Sequence, residues 1–197
     1  MLAPSSRGMR LNGLVSEIRD ALHAPAPGRP EQTGRRVADV VAGHLHHDDL
    51  LTDDQLTADP ARYKQHVLHI EPDGTFSVVA LVWLPGQRTP IHDHVSWCVI
   101  GTYRGAEEEI RYRRVEEDGS PHLVPVDITV NHVGTVAFLA PPGDIHEVRS
   151  ATDGLTVSLH VYGADIGALG TSIRRRYDLP VRSPRAALGR AQRSARR

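Results

Sequence analysis

Three histidines stand where metal chemistry needs them. His92 and His94 are two apart in Pro90-Ile91-His92-Asp93-His94, and His146 closes Pro141-Pro142-Gly143-Asp144-Ile145-His146. Residues two apart in a strand point to one side, so His92 and His94 can face a single centre. Imidazole nitrogen suits iron, zinc, copper and nickel. A lone His-x-His pair arises by chance in many chains; the distant Pro-x-Gly-x-x-His stretch gives this one weight. Three neutral histidines on one side would leave the opposite coordination positions open. Asp93, lying between two of them, should point away from the metal and is read as structural. A second polar set follows in Leu155-Thr156-Val157-Ser158-Leu159-His160-Val161-Tyr162. Alternation puts Thr156, Ser158, His160 and Tyr162 on one side and the aliphatic residues on the other. A buried row of hydroxyl, imidazole and phenol must be hydrogen-bonded. It either fixes the strand or serves as a relay beside the metal.

The totals bound the rest. A chain of 197 residues can bury one sizeable core. A net charge of −1 gives no global attraction to nucleic acid or to membrane surfaces. No apolar run approaches the ~20 residues of a spanning helix, and no apolar stretch follows the basic residues of the first ten. Neither a membrane partner nor a nucleic-acid partner is therefore expected. The single cysteine, Cys98, excludes an intrachain disulfide, which fits a reducing, cytoplasmic setting.

The elements that must position these groups change texture along the chain. Apolar residues at Leu11, Leu14, Val15, Ile18 and Leu22 have helical spacing, stopped by Pro25-Ala26-Pro27-Gly28-Arg29-Pro30. A second helix is predicted over 32–46, with Val37, Val40 and Val41 on one face. His44, His46 and His47 near its end are read as helix-terminal histidines favoured by the dipole, not as a metal site. Thr52-Asp53-Asp54-Gln55 looks like another helix start. Strands are predicted near 67–70, 75–84, 97–104, 107–115, 122–130, 134–140 and 155–162. Pro72-Asp73-Gly74, Asp118-Gly119 and Asp153-Gly154 supply the turns. This rhythm suggests an antiparallel sandwich or small barrel. A short helix is predicted over 171–177. Six arginines and no acid occupy 182–197, read as a solvated, disordered basic tail.

Gly86-x5-His92-x-His94, then Gly105, then Pro141-x-Gly143-x-x-His146 resembles the cupin superfamily. The resemblance implies a mainly β fold: the cupin double-stranded β-helix, a small antiparallel barrel or jelly roll, with N-terminal α-helices. It divides the chain into a helical segment over 1–60, a barrel with the metal site over 61–165, a C-terminal extension over 166–181 and the tail over 182–197. Most metal cupins carry a glutamate ligand shortly after the His-x-His pair; here that slot holds Cys98. A three-histidine, charge-neutral set marks the cysteine dioxygenase family of thiol dioxygenases, and the chain looks like a bacterial member.

That resemblance implies Fe(II) on His92, His94 and His146, with O2 and a small thiol carboxylate, cysteine or 3-mercaptopropionate, as reactants. The sulfur would take both oxygen atoms and become a sulfinate. It makes Tyr162 the phenol beside substrate and oxygen, His160 its partner and Ser158 the outer anchor. In animal members a cysteine near the position of Cys98 forms a thioether with the relay tyrosine, one residue further from the His-x-His pair. Two readings of Cys98 thus stand: a Cys98–Tyr162 crosslink, or a small buried thiol. Cysteine-specific members hold the carboxylate with an arginine two residues after a tyrosine. Tyr63-Lys64-Gln65 has Gln65 there, which resembles the 3-mercaptopropionate dioxygenases, whose arginine comes from beyond the last barrel strand. Simple counting puts Thr171 at that position, so Arg174, Arg175 or Arg176 is expected to serve, or else Arg111 or Arg113. Two competing classes are another metal cupin enzyme, such as an isomerase or a different oxygenase, and a non-enzymatic small-molecule-binding cupin. The first predicts a fourth carboxylate ligand; the second leaves the Ser158-His160-Tyr162 row without a purpose.

Overall fold

The computed structural model describes residues 6–24 and 30–182. The basic tail beyond Arg182, residues 1–5 and most of the proline-rich stretch 25–30 lie outside the described residues. Two helices come first, α1 (Ser6–His23) and α2 (Pro30–His44). The helix start expected at Thr52 is a single 3-10 turn over Asp54–Leu56. It is closed by a reciprocal cap: the Thr52 amide donates to Gln55 Oε1 at 2.9 Å, and the Gln55 amide to Thr52 Oγ1 at 3.4 Å.

The remaining chain is mostly strand. In order come β1 (Lys64–Ile70), β2 (Ser77–Trp83), β3 (His92–His94), β4 (Cys98–Arg104), β5 (Ala106–Glu117), β6 (Ser120–His132), β7 (Val136–Leu139), β8 (His146–Ser150), β9 (Thr156–Tyr162), a short α3 (Ile166–Leu169) and β10 (Ile173–Arg176). They form two antiparallel five-stranded sheets, ordered β1-β2-β9-β4-β7 and β10-β3-β8-β5-β6. The fold is the expected cupin double-stranded β-helix with helices before it.

The alternation of β9 explains its place in the middle of the first sheet. Its outward residues Val157, Leu159 and Val161 join Leu14, Ile18, Val37, Val41 and Leu45 of the helical layer in one buried cluster. Each large apolar side chain buried this way contributes about 1.5–3 kcal/mol. Close approach of α2 depends on two glycines. A Cβ on Gly34 would fall 2.0 Å from the Phe138 ring, and one on Gly101 would fall 2.7 Å from Val41. The inward side of the same sheet, with Val79, Leu81, Trp83, Cys98, Ile100 and Tyr162, forms a second buried cluster inside the barrel.

The predicted helix over 171–177 is corrected: the segment is the edge strand β10. The reason lies in its neighbour. β3 has a free edge, and β10 satisfies it. The Val95 amide donates to the Ser172 carbonyl at 3.0 Å, and the Tyr177 amide to the Ile91 carbonyl at 2.9 Å. The strands β3 and β8, only three and five residues long, carry too little pattern to be read beforehand.

One polar staple ties the helical layer to the barrel. Arg19 of α1 reaches Glu71, just after β1, through Nε at 2.7 Å and Nη2 at 2.9 Å, and His69 Nε2 meets the same carboxylate at 2.8 Å. The Arg19 bond, opposed by burial and aided by His69, holds Glu71 down at about 2. A depressed carboxylate stabilises the fold above its unfolded value and loses that contribution on protonation. Thermal melts of Glu71→Gln and the unaltered protein should therefore differ most at neutral pH. The gap should close as pH falls from 4.5, the ordinary glutamate value, toward about 2.

Candidate metal centre

The three histidines enter from two neighbouring strands. His92 and His94 occupy the ends of β3, and His146 opens β8 directly opposite His92. All three are buried. Their ring centroids lie 4.7–4.9 Å apart. Their potential ligand atoms all fall within 4.8 Å of one another, and among the described residues this is the one group of three or more side chains able to hold a metal ion.

Each ring has its Nδ1 occupied from behind. His92 Nδ1 meets the Pro90 carbonyl at 2.9 Å, His94 Nδ1 meets Asp144 Oδ2 at 3.1 Å, and His146 Nδ1 meets Glu109 Oε1 at 2.8 Å. Asp144 Oδ2 also accepts the His94 amide at 2.9 Å, fixing the ring and its backbone together. An acceptor at Nδ1 keeps the proton there and leaves Nε2 as the free lone pair. His146 Nε2 is buried with no hydrogen-bond partner. Burial, reinforced by the other two histidines, lowers His92 to about 3, and burial lowers His146 as well, so both are neutral at ordinary pH. Glu109 and Asp144 are pushed up by burial, but their hydrogen bonds with His146 and His94 outweigh it and keep both carboxyls below their usual range. Neutral rings with a converging, orphaned nitrogen fit a divalent transition metal.

The polar side of β9 lines the same narrow pocket, through His160 and Tyr162. Tyr162 Oη lies 3.1 Å from His160 Nδ1, and His160 Nε2 lies 3.0 Å from Ser158 Oγ. Trp83 Nε1 donates to Ser158 Oγ at 3.3 Å. Burial drives the Tyr162 phenol well above its ordinary pKa and His160 well below, so the relay is uncharged. Cys98 of β4 pairs across the strands with Tyr162, and its Sγ lies 3.8 Å from His160 Nδ1. Burial raises that thiol well above its ordinary value.

Tyr63 and Gln65 also border the pocket. The Tyr63 ring stacks on Trp83 with centroids 4.7 Å apart. The candidate arginines differ in where they stand. Arg174 turns to Asp93, with Nη2 2.6 Å from Oδ2, and Tyr177 Oη donates to the same oxygen at 2.8 Å. Arg174 is thus not among the residues that border the pocket; the β10–β3 pairing shifts register between Ile173 and Arg175, so simple alternation does not hold there. Arg111 Nε donates to Glu109 at 3.3 Å, and Arg113 and Arg175 are exposed. Arg176 lines an outer recess that shares Tyr63 and Gln65 with the pocket. Thr171 does not border the pocket, whereas the next residues, Ser172 and Ile173, do. His44 lies 3.2 Å from Glu17, a contact between helices.

Sequence reasoning missed the supports of the histidines. Asp144 sits inside a motif that was read, but without a role. Glu109 lies in Ala106-Glu107-Glu108-Glu109-Ile110, at the start of the strand predicted near 107–115; alternation alone shows that 107 and 109 share a side but not that it faces inward. Replacing Asp144 by alanine should weaken divalent-metal binding about 10- to 100-fold, measured by titration with zinc, while the thermal melt of the metal-free protein changes little by comparison.

Solved structures similar to this chain include a cupin 2 conserved barrel domain protein from Salinispora arenicola. It is 24% identical over 57% of this chain and 83% of its own, with a TM-score of 0.41. Another is an RmlC-like cupin from Desulfovibrio desulfuricans, 21% identical over 59% of this chain and 94% of its own, with a TM-score of 0.42. The family assignment rests on a separate match. Residues 54–169, well over half of the chain, fit the model of cysteine dioxygenase type I. That stretch holds all three histidines, the Ser158-His160-Tyr162 relay, Cys98, Tyr63 and Gln65, and the chain belongs to the cysteine dioxygenase type I family.

Proposed function

We propose that the protein is an iron(II)-dependent thiol dioxygenase acting on a small thiol carboxylate. The observation that carries this reading is the meeting of three buried imidazoles in one pocket with Tyr162 and His160, which Ser158 holds from behind. The overall change is RSH + O2 → RSO2− + H+: the S–H and O–O bonds break, two S–O bonds form, and oxygen is reduced by the sulfur it enters.

His92, His94 and His146 would hold the iron through Nε2, kept in place by Pro90, Asp144 and Glu109. Bound there, iron(II) would supply Lewis acidity that favours the thiolate and the electronic coupling that lets oxygen react with it. The chain's own groups do the rest. The buried walls exclude water, and Tyr162 offers a phenol at hydrogen-bonding reach of the pocket, held by His160. Ser172, whose hydroxyl favours the Tyr162 anion, steadies the phenol from the β10 side. Cys98 lies beside Tyr162, a placement compatible with a thioether between them.

For the carboxylate, Arg176 replaces Arg174. Arg174 is committed to Asp93, whereas Arg176 stands at the mouth beside Tyr63 and Gln65 and lowers the Tyr63 pKa against the upward push of burial. Gln65, in place of an arginine, supports 3-mercaptopropionate or a similar acid without an amino group over cysteine. No protein carboxylate is needed on the metal in this reading.

Oxygen uptake by the iron-loaded protein should be thiol-dependent, with 3-mercaptopropionate favoured over cysteine and sulfinate as the product by mass spectrometry. Absence of uptake with either thiol would overturn the reading. Tyr162→Phe should lower kcat by about 100-fold or more with iron content unchanged. Arg176→Ala should raise KM by about 10- to 100-fold, the worth of one charged hydrogen bond, with little change in kcat.

A further inference from the structure

One buried acid has no part in the chemistry above. Glu107 lies on the inward side of β5 and is 1% exposed. Neither of its carboxyl oxygens has a hydrogen-bond partner. Leaving a polar group so buried and unpaired is costly, so its surroundings call for explanation. Its polar neighbours are the Ser158 hydroxyl and the Trp83 indole, and both favour its anion. Ser158 is the far member of the relay, and Trp83 donates to Ser158 as well. Thr156 Oγ1, two residues before Ser158 on the same side of β9, donates to the Ala106 carbonyl next to Glu107 at 3.2 Å, so the acid stands beside the Ser158 end of the Ser158, His160, Tyr162 row without closing a hydrogen bond to it.

We propose that Glu107 is the terminal positioning residue of this relay, and that whether it carries a proton sets the direction of every hydrogen bond from Ser158 to Tyr162. The argument is donor arithmetic. A carboxylate only accepts. Facing an ionised Glu107, Ser158 turns its hydrogen to the acid and accepts from His160 Nε2. His160 Nδ1 is then a bare lone pair, and Tyr162 must donate to it. The phenol oxygen faces the pocket as an acceptor. A protonated Glu107 donates to Ser158 instead. Ser158 then gives its hydrogen to His160 Nε2, the ring proton moves to Nδ1, and Tyr162 accepts it. The phenol hydrogen becomes free to point into the pocket. One proton, on a side chain that does not line the pocket, decides whether Tyr162 offers a donor or an acceptor.

The surroundings make both states accessible. Burial pushes Glu107 up to about 7, aided by the charge of Glu109 on the same strand and opposed by Ser158 and Trp83. Across the barrel, Cys98 of β4 feels Glu107 in turn, its thiol raised further by that charge. Asn131 of β6 and Ser150 of β8 are its neighbours in register. The consequence for catalysis rests on the thiol dioxygenase reading; the hydrogen-bond directions do not.

The test is the ring protonation of His160, read from imidazole nitrogen chemical shifts in the full-length protein, without metal and with zinc as a diamagnetic ion. The proton should sit on Nδ1 below a midpoint of about 7 and on Nε2 above it. In Glu107→Gln the position should be the same across that range, and in Ser158→Ala the dependence should vanish because the link is cut. A wild-type His160 that keeps one tautomer throughout, or that changes alike in Glu107→Gln, would overturn the proposal. Zinc that leaves the His92, His94 and His146 signals unmoved would instead count against the metal reading and not against the relay. In the iron-loaded enzyme, Glu107→Gln should remove the limb of the kcat–pH profile near 7 while KM stays within about twofold, a split that mere loosening of the barrel would not give.

Discussion

Three imidazoles can share one ion only if each presents the same kind of lone pair to the same point, and a histidine chooses its nitrogen by what its other nitrogen meets. Here the choice is made behind the rings, by the Pro90 carbonyl, Asp144 and Glu109. The acceptors come from a turn, a loop and a neighbouring strand. No one segment could make the centre alone. Because two of the three acceptors are buried carboxylates, their charge is tolerated only while the imidazole hydrogen bonds persist.

The strand that carries two of the histidines is only three residues long, so its rigidity is borrowed. On one side it pairs with β8, which brings His146 opposite His92. On the other it is held by β10, whose Arg174 and Tyr177 both grip the aspartate between the histidines. Asp93 points away from the centre, as its alternation requires, and acts as the handle by which the C-terminal strand fixes the ligand strand. The same strand, with Ser172 just before it, brings Ser172 and Ile173 to the pocket wall and Arg176 to the outer recess beside it. The ligand strand and the pocket wall are thus coupled through one edge of one sheet.

The first sheet solves a different problem. β9 must be apolar toward the helices and polar toward the pocket, and strict alternation lets one strand do both. Gly34 and Gly101 allow α2 to come close enough to seal the apolar side. On the polar side, four groups in a row are buried, and each needs a partner. Trp83, from β2, donates to Ser158 where β9 can supply no more, and Glu107, from β5, lies buried and unpaired nearby. The interior is therefore a polar row enclosed by an apolar shell.

Much of this was legible in the chain itself. The spacing of His92, His94 and His146 and the alternation of β9 are local signals, fixed by the geometry of a strand, and they needed no partner to be read. The resemblance carried by Gly86, Gly105 and the Pro141-x-Gly143-x-x-His146 stretch gave the barrel. What only the tertiary structure decided concerns long-range pairing. Residues 171–177 became a strand because β3 had an open edge, a fact that no window of sequence contains. Arg174 was drawn to Asp93 and Arg176 left at the mouth by the register of that pairing. Glu107 and Glu109 face inward because β5 presents that side to the barrel; in sequence they are two acids in an acidic run. Periodicity states which residues share a side, but only the closing of the two sheets states which side is buried.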